Sequence, residues 1–242
     1  MNIHAVSRFL GSLDDIAAAA APFEILEELS KVLRTFGLRH LLITGLPSPS
    51  KGPWQQEILY DGWPQEWIEH YSASEHFFHD PCALHSRYAG EPFLWSELSR
   101  DLMTARQLRV MDEATEFGLR DGLCVPVHLP LRGPSVITVA GERIEISEED
   151  LPTVEMVCVQ AFRALRRIHL GDNESHHHTL TDREREVLTW VAAGKAAEDV
   201  ACILGISRFT VERHLANVRE KYDAANTVQA VVEAVRRGEI RP

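Results

Sequence analysis

The sequence predicts a two-domain α+β protein: an N-terminal α/β/α sandwich with an antiparallel sheet, followed by a C-terminal all-α domain of four short helices. Three observations carry that prediction. Four short aliphatic or β-branched runs bounded by Gly and Pro lie in the front part of the chain. "LGDNESHHHTLT", Leu170 to Thr181, is polar and aperiodic between two helical regions, as a linker is. The ten basic and ten acidic side chains from His176 to Pro242 cancel, so the whole net charge of −11 falls on residues 1–175. The expected domains are residues 1–170 and 179–242, with 171–178 as linker.

The strands are read at Leu38–Leu46, Gln56–Gly62, Asp121–Pro130 and Pro134–Glu142, the last two joined by a hairpin through Leu131–Gly133. Helical patterns surround them at Pro22–Phe36, Pro64–Phe77, Asp101–Phe117 and Glu148–Ile168. In the last of these Val154, Cys158, Ala161, Leu165 and Ile168 recur at helical spacing. Long helical insertions between strands, and no G-x-G-x-x-G after any of them, favour an antiparallel sheet over a parallel nucleotide-binding fold.

A composition of 45% hydrophobic and 25% charged residues is that of a soluble globular protein. The run "IAAAAAPF" is too short to span a membrane, and no basic-then-apolar leader opens the chain, so a cytoplasmic protein without a membrane partner is expected. Cys82, Cys124, Cys158 and Cys202 lack C-x-x-C spacing and sit in apolar contexts, which predicts buried, reduced thiols. His176, His177 and His178 are adjacent and cannot all face one ion, so they are read as solvated linker.

In the back domain "TDRE" forms a capping box from Thr181 to Glu184, with Val187, Leu188, Val191 and Ala192 as the stripe behind it. Gly194 ends that helix. Ala197, Val200, Ala201 and Leu204 make a second, stopped at Gly205, and Ser207 caps a third; two helices joined through Gly205 form a helix-turn-helix. In the third helix Val211, Leu215, Val218 and Tyr222 face inward, leaving Glu212, Arg213, Ala216, Asn217 and Arg219 outside. That surface suits a helix lying in a DNA major groove, the alternative being an exposed face of a helical bundle. The fourth helix, Thr227–Arg237, offers Val228, Ala230, Val231, Ala234 and Val235, part of which could serve a dimer.

"LTDREREVLTWVAAGKAAEDVACILGISRFTVERHLANVREKYDAAN" closely resembles the LuxR-type DNA-binding domain. The resemblance implies double-stranded DNA as partner, with Lys195, Ser207, Arg208, Thr210, Asn217 and Lys221 on the phosphate side and Glu212, Arg213 and Ala216 facing bases. Thr227 departs from the family, which commonly carries Arg there.

The front domain lacks the acidic pair and phosphoacceptor Asp of a receiver. Its distinctive stretch is "GWPQEWIEHYSASEHFFHDPCALHSRYAGEPFLW", which holds three of the five tryptophans and one Asp-Pro. Such rings suit a small amphipathic ligand, with Asp80 accepting from an amide and the Trp63 and Trp67 indoles donating to carbonyls. Chemistry alone equally allows a core cluster in which Asp80 caps a helix begun by Pro81. The only enzyme reading comes from His70, His76, His79 and His85, and H-x-x-H without a metalloprotease Glu is a poor start for a hydrolase. No metal or catalytic residues are therefore assigned.

W-x-x-x-Y, then D-P nine residues after the Tyr, then P-F-x-W with its Trp fifteen residues after the Asp, resembles the autoinducer-binding domain of LuxR-type quorum-sensing regulators, as does "FGLRDGLCVPVH". The resemblance implies that Trp67 holds the lactone carbonyl and Asp80 the amide N–H. Tyr71 and Trp95 would be aromatic walls, Gly122 a structural turn, and Thr138 the hydroxyl touching the acyl carbonyl. Trp63 stands where many members have Tyr. "VITVAG" is similar to regulators answering aryl or branched acyl groups. The chain is thus expected to be a homodimeric, ligand-responsive transcription factor, not an enzyme. It would use no cofactor beyond an acyl- or aryl-homoserine lactone signal, with RNA polymerase a candidate partner. Its alternatives are a DNA binder released by its signal and, in another class, a lactone-degrading hydrolase.

Overall fold

The computed structural model describes residues 3–46, 54–128, 133–170 and 180–240, and the chain divides into two compact units. In the first, α1 (Ile3–Ala18) and α2 (Pro22–Arg34) precede β1 (His40–Gly45) and β2 (Ile58–Asp61). There follow α3 (Gln65–Ala73), α4 (Pro81–Ser86), β3 (Phe93–Leu94), α5 (Ala105–Glu116), β4 (Asp121–Val127), β5 (Ser135–Gly141) and α6 (Leu151–Leu170). The five strands form one antiparallel sheet in the order β2-β1-β5-β4-β3. The expected linker 171–178, the histidine triplet and the tip of the β4–β5 hairpin lie outside the described residues.

Because strand side chains alternate between faces, each central strand feeds two cores. Leu41 and Ile43 of β1, Leu123 and Val125 of β4, and Ile137 and Val139 of β5 pack with α1, α2 and α6. Leu42, Cys124, Val136 and Ala140 turn the other way, into a second core built from Trp63, Trp67, Tyr71, Phe77, Trp95, Val110 and Ala114. The result is an α/β/α sandwich with one aliphatic layer and one aromatic layer. All functional chemistry argued for the front domain lies in the aromatic layer.

The element ends follow local chemistry. The helix expected over Pro64–Phe77 stops at Ala73, since Glu75 takes a left-handed conformation (φ 52°) and a short 3₁₀ turn, His76–Phe78, follows. The helix expected from Asp101 starts at Ala105, where Thr104 accepts from the Gln107 N–H and Gln107 reaches back to the Thr104 N–H. Cys82, Cys124 and Cys158 are buried free thiols as expected, whereas Cys202 is exposed. Its neighbours Val200 and Ala201 occupy the inward face of their helix instead.

The second unit contains α7 (Asp182–Ala192), α8 (Ala197–Leu204), α9 (Arg208–Lys221) and α10 (Thr227–Arg236). Thr181 and Glu184 form the capping box: Glu184 N–H donates to Thr181 Oγ1 at 3.3 Å, and Thr181 N–H to Glu184 Oε2 at 2.8 Å. Gly205, at φ 64°, makes the left-handed turn between α8 and α9 that a side chain would strain. Val187, Leu188, Val200, Val211, Leu215, Val218, Ala230 and Ala234 are the buried centre.

Candidate ligand cavity and DNA-reading helix

The aromatic layer encloses a narrow cavity over the sheet. Trp54, Trp63, Tyr71 and Phe77 line one side, Thr44, Cys124 and Thr138 the strands, and Asp80 and Cys82 the start of α4. The free space is about 20 Å³, roughly that of one water molecule. The rings fill the rest: Tyr71 lies 5.2 Å from Trp54 and 5.3 Å from Trp63, and Trp54 stacks on Phe77 at 5.4 Å. Trp54 lies outside the aromatic stretch that marks this layer in the sequence, and no local signal identifies it as a wall.

Asp80 does two jobs at once. Its Oδ1 accepts from the Cys82 and Ala83 N–H groups at 2.7 and 3.2 Å, capping α4, and its Oδ2 accepts from the Tyr71 hydroxyl at 2.8 Å. Burial pushes the Asp80 carboxyl above its ordinary value, against the Tyr71 and backbone hydrogen bonds that lower it. Burial also pushes the Tyr71 phenol well up, with the Asp80 charge adding to it. The helix-cap and cavity readings of Asp80 are therefore compatible.

Of the six residues expected to contact a ligand, Trp63, Tyr71, Asp80 and Thr138 line the cavity. Trp67 and Trp95 stand behind that lining. Trp67 is 1% exposed and packs 5.6 Å from Tyr71 and 6.3 Å from Trp63. Trp95 Nε1–H donates to Cys124 Sγ at 3.3 Å. The indole N–H groups of Trp63 and Trp67 are buried and make no hydrogen bond among the described residues. Gly122, expected as a turn, lies within β4, and its role is space: a Cβ there would meet Trp95 Cε2 at 2.4 Å.

On α9 the Ser207 hydroxyl caps the helix by accepting from Thr210 N–H at 3.1 Å and shares a hydrogen bond with Thr210 Oγ1. Glu212, Arg213, Ala216 and Asn217 are exposed, as is Lys195 before α8. Arg208 is tied to Glu212 at 2.7 Å and to Glu198. Arg219 is half-buried and donates to Thr227 Oγ1 at 3.1 Å. Lys221, expected at a phosphate, bridges to the buried Glu184 at 2.5 Å. Burial raises the Glu184 carboxyl, but the Lys221 and Thr181 hydrogen bonds outweigh it and hold it below its ordinary value.

Residues 21–165 match the autoinducer binding domain family, and residues 178–234 match the luxR family of bacterial regulatory proteins. The chain is 33% identical over 236 residues to the quorum sensing-dependent transcriptional regulator RpaR of Rhodopseudomonas palustris, covering 97% of this chain and 95% of that one. It is 30% identical to the transcriptional activator BjaR1 of Bradyrhizobium diazoefficiens over 90% of both. Its fold matches SdiA in complex with octanoyl-rac-glycerol, with a TM-score of 0.75 at 20% identity over 100% of this chain and 99% of that one. With both domains matched and relatives similar over nearly their whole length, the chain belongs to the LuxR family of quorum-sensing transcriptional regulators.

Proposed function

We propose that the front domain binds an acyl- or aryl-homoserine lactone in the aromatic cavity. The back domain, as a homodimer, then places two α9 helices on adjacent half-sites of promoter DNA. The observation that carries the ligand reading is the pairing of a buried acceptor with buried donors. Asp80 presents a carboxylate oxygen already held by Tyr71, while the Trp63 and Trp67 indoles have N–H groups without a partner among the described residues. A buried donor left unpaired costs about 1–3 kcal/mol, which a ligand carbonyl would recover. An acylated lactone supplies both carbonyls and an amide N–H for Asp80. Its acyl or aryl part would displace rings that now leave little room, so Trp54, Trp63 and Phe77 must shift on binding, and the shift of Trp63 would open the way to Trp67 behind it.

Dimerisation suits the back domain because its charge is balanced and one copy would hold DNA weakly. Val228 and Val232 stand exposed on α10, a surface suited to pairing. The reading is of a protein that binds and releases its signal unchanged in the cytoplasm. The test is to express the chain with extracts of signal-producing bacteria, denature it and identify retained small molecules by mass spectrometry. A near-stoichiometric homoserine lactone supports the proposal. Accumulating ring-opened product would replace it with a hydrolase, and no retained or stabilising lactone would leave the fold without that ligand.

A further inference from the structure

Beside the aromatic cavity, three side chains from three segments converge: His70 of α3, His76 of the 3₁₀ turn and Glu113 of α5. His70 Nε2 and His76 Nε2 each lie 2.7 Å from the same Glu113 oxygen, Oε2. All three ligand atoms fall within 4.8 Å of one another. We propose that His70, His76 and Glu113 form a binding site for a first-row divalent cation, zinc foremost.

The donor set is that of three-ligand zinc sites, two imidazoles and a carboxylate with a fourth position left to water. Metal–nitrogen and metal–oxygen bonds of about 2.0–2.2 Å around a tetrahedral centre put donor atoms roughly 3.4 Å apart. Glu113 therefore has to retreat by less than about 1 Å from each imidazole, and the two Nε2 atoms, within 4.8 Å of each other, have to settle at the same spacing, for a cation to enter among the three. Each neutral imidazole moves its ring proton to Nδ1, freeing Nε2 to bind. The His76 side chain is only 7% exposed, whereas those of His70 and Glu113 are 41% and 29% exposed, so the site is anchored inside and open to solvent on one side.

Packing restrains both rings before any cation arrives. His70 stacks on Phe117 at 6.2 Å and lies 5.9 Å from Trp67; His76 lies 5.9 Å from Trp67 and 5.8 Å from Tyr71. Rings held this way lose little freedom on coordination. Arg109 approaches the other Glu113 oxygen at 4.0 Å and is largely exposed, so water screens its repulsion. A bound cation would tie together three segments that back the Trp67–Tyr71 wall, and so stiffen the cavity from behind. Metal binding itself does not depend on which ligand the cavity takes.

His176, His177 and His178, though read as solvated linker, also offer imidazoles that can take up cobalt loosely, and the experiment separates that uptake from the site. Chelator-washed full-length protein is titrated with Co²⁺, whose tetrahedral d–d absorption reports coordination, and with Zn²⁺ in competition. Four proteins are compared: wild type, His70→Ala, Glu113→Gln, and a variant carrying His176→Ser, His177→Ser and His178→Ser. The two single substitutions fall on half-exposed side chains, and circular dichroism checks their fold. The expected result is one Co²⁺ per chain in wild type and in the triple variant. Affinity should fall by more than about 100-fold in His70→Ala and Glu113→Gln, since even outer partners of a metal site are worth about 10–100-fold. Undiminished binding in those two variants, loss of binding in the triple variant, or no d–d absorption in wild type would each overturn the proposal. The last result would leave a carboxylate hydrogen-bonded to two histidines.

Discussion

Tyr71 Oη donates to Asp80 Oδ2 at 2.8 Å while Asp80 Oδ1 caps α4, so a single carboxylate joins α3, the cavity and the next helix. A single deletion at Asp80 would confuse the cap with the cavity role. Two substitutions separate them.

Asp80→Asn keeps a capping oxygen and should change stability without ligand by little, because Asn caps about as well as Asp. Asp80→Ala loses the cap and also leaves the buried Tyr71 hydroxyl without its acceptor, so it should cost more than the roughly 0.5–2 kcal/mol of a lost cap. Both should lose most of the thermal stabilisation that a homoserine lactone gives wild type, measured by melting with and without it. If Asp80→Asn is stabilised by the lactone as much as wild type, Asp80 is a helix cap and not a ligand anchor.

Gly122→Ala tests the reassignment of that glycine from turn to spacer. The new methyl would lie 2.4 Å from the Trp95 ring, which donates to Cys124 on the cavity wall. Overpacking should cost about 1–3 kcal/mol, read by urea unfolding. Trp95→Phe in the same chain should recover part of the loss, since a smaller ring relieves the clash. No recovery would mean that the strain lies in the backbone.

The layered fold was readable from the sequence because its signals are local and periodic. Val154, Cys158, Ala161 and Leu165 mark the α6 stripe, and all four are buried. Helix α1 escaped because its stripe is diluted: Phe9, Leu13 and Ile16 recur at helical spacing, but Gly11 and polar residues lie between them and an alanine run follows. The two-residue β3 is too short to show alternation. Where a local signal exists it places the side chain, as the helix caps Asp80 and Ser207 show. A partner distant in sequence leaves no such signal, as with Glu184 for Lys221 and Cys124 for Trp95. The meeting of His70 and His76 with Glu113, 43 and 37 residues away, has no sequence signal at all.

Lys221→Met should act first on stability. It leaves the Glu184 carboxylate, 3% exposed, without its ammonium partner, at a cost of about 1–3 kcal/mol near neutral pH. Glu184 has a folded pKa below its ordinary 4.5, so its contribution is full above that value and is lost as pH falls through the folded pKa. The gap between wild type and Lys221→Met should therefore shrink on acidification, followed by urea unfolding of the full chain from neutral pH to about pH 3. A gap that stays constant with pH would remove the ion pair as its cause.

Arg213 is the sharpest test of the DNA-reading face. It is exposed on α9 and makes no ion pair or hydrogen bond among the described residues, whereas Arg208 is held by Glu212 and Glu198. A side chain uncommitted within the protein can reach a base edge without first breaking a contact. Arg213→Ala should thus cost about 1–3 kcal/mol on the preferred site and relax preference at one position per half-site. Arg208→Ala should weaken all sequences alike and lower the salt slope by about 1 per copy, as removal of a phosphate contact does. Neither should change stability by more than about 0.5 kcal/mol, because both side chains lie on the surface. Binding-site selection, followed by anisotropy titrations at several salt concentrations, separates the two roles. Unchanged site preference in Arg213→Ala would take Arg213 out of base reading, and a changed preference in Arg208→Ala would put that residue in its place.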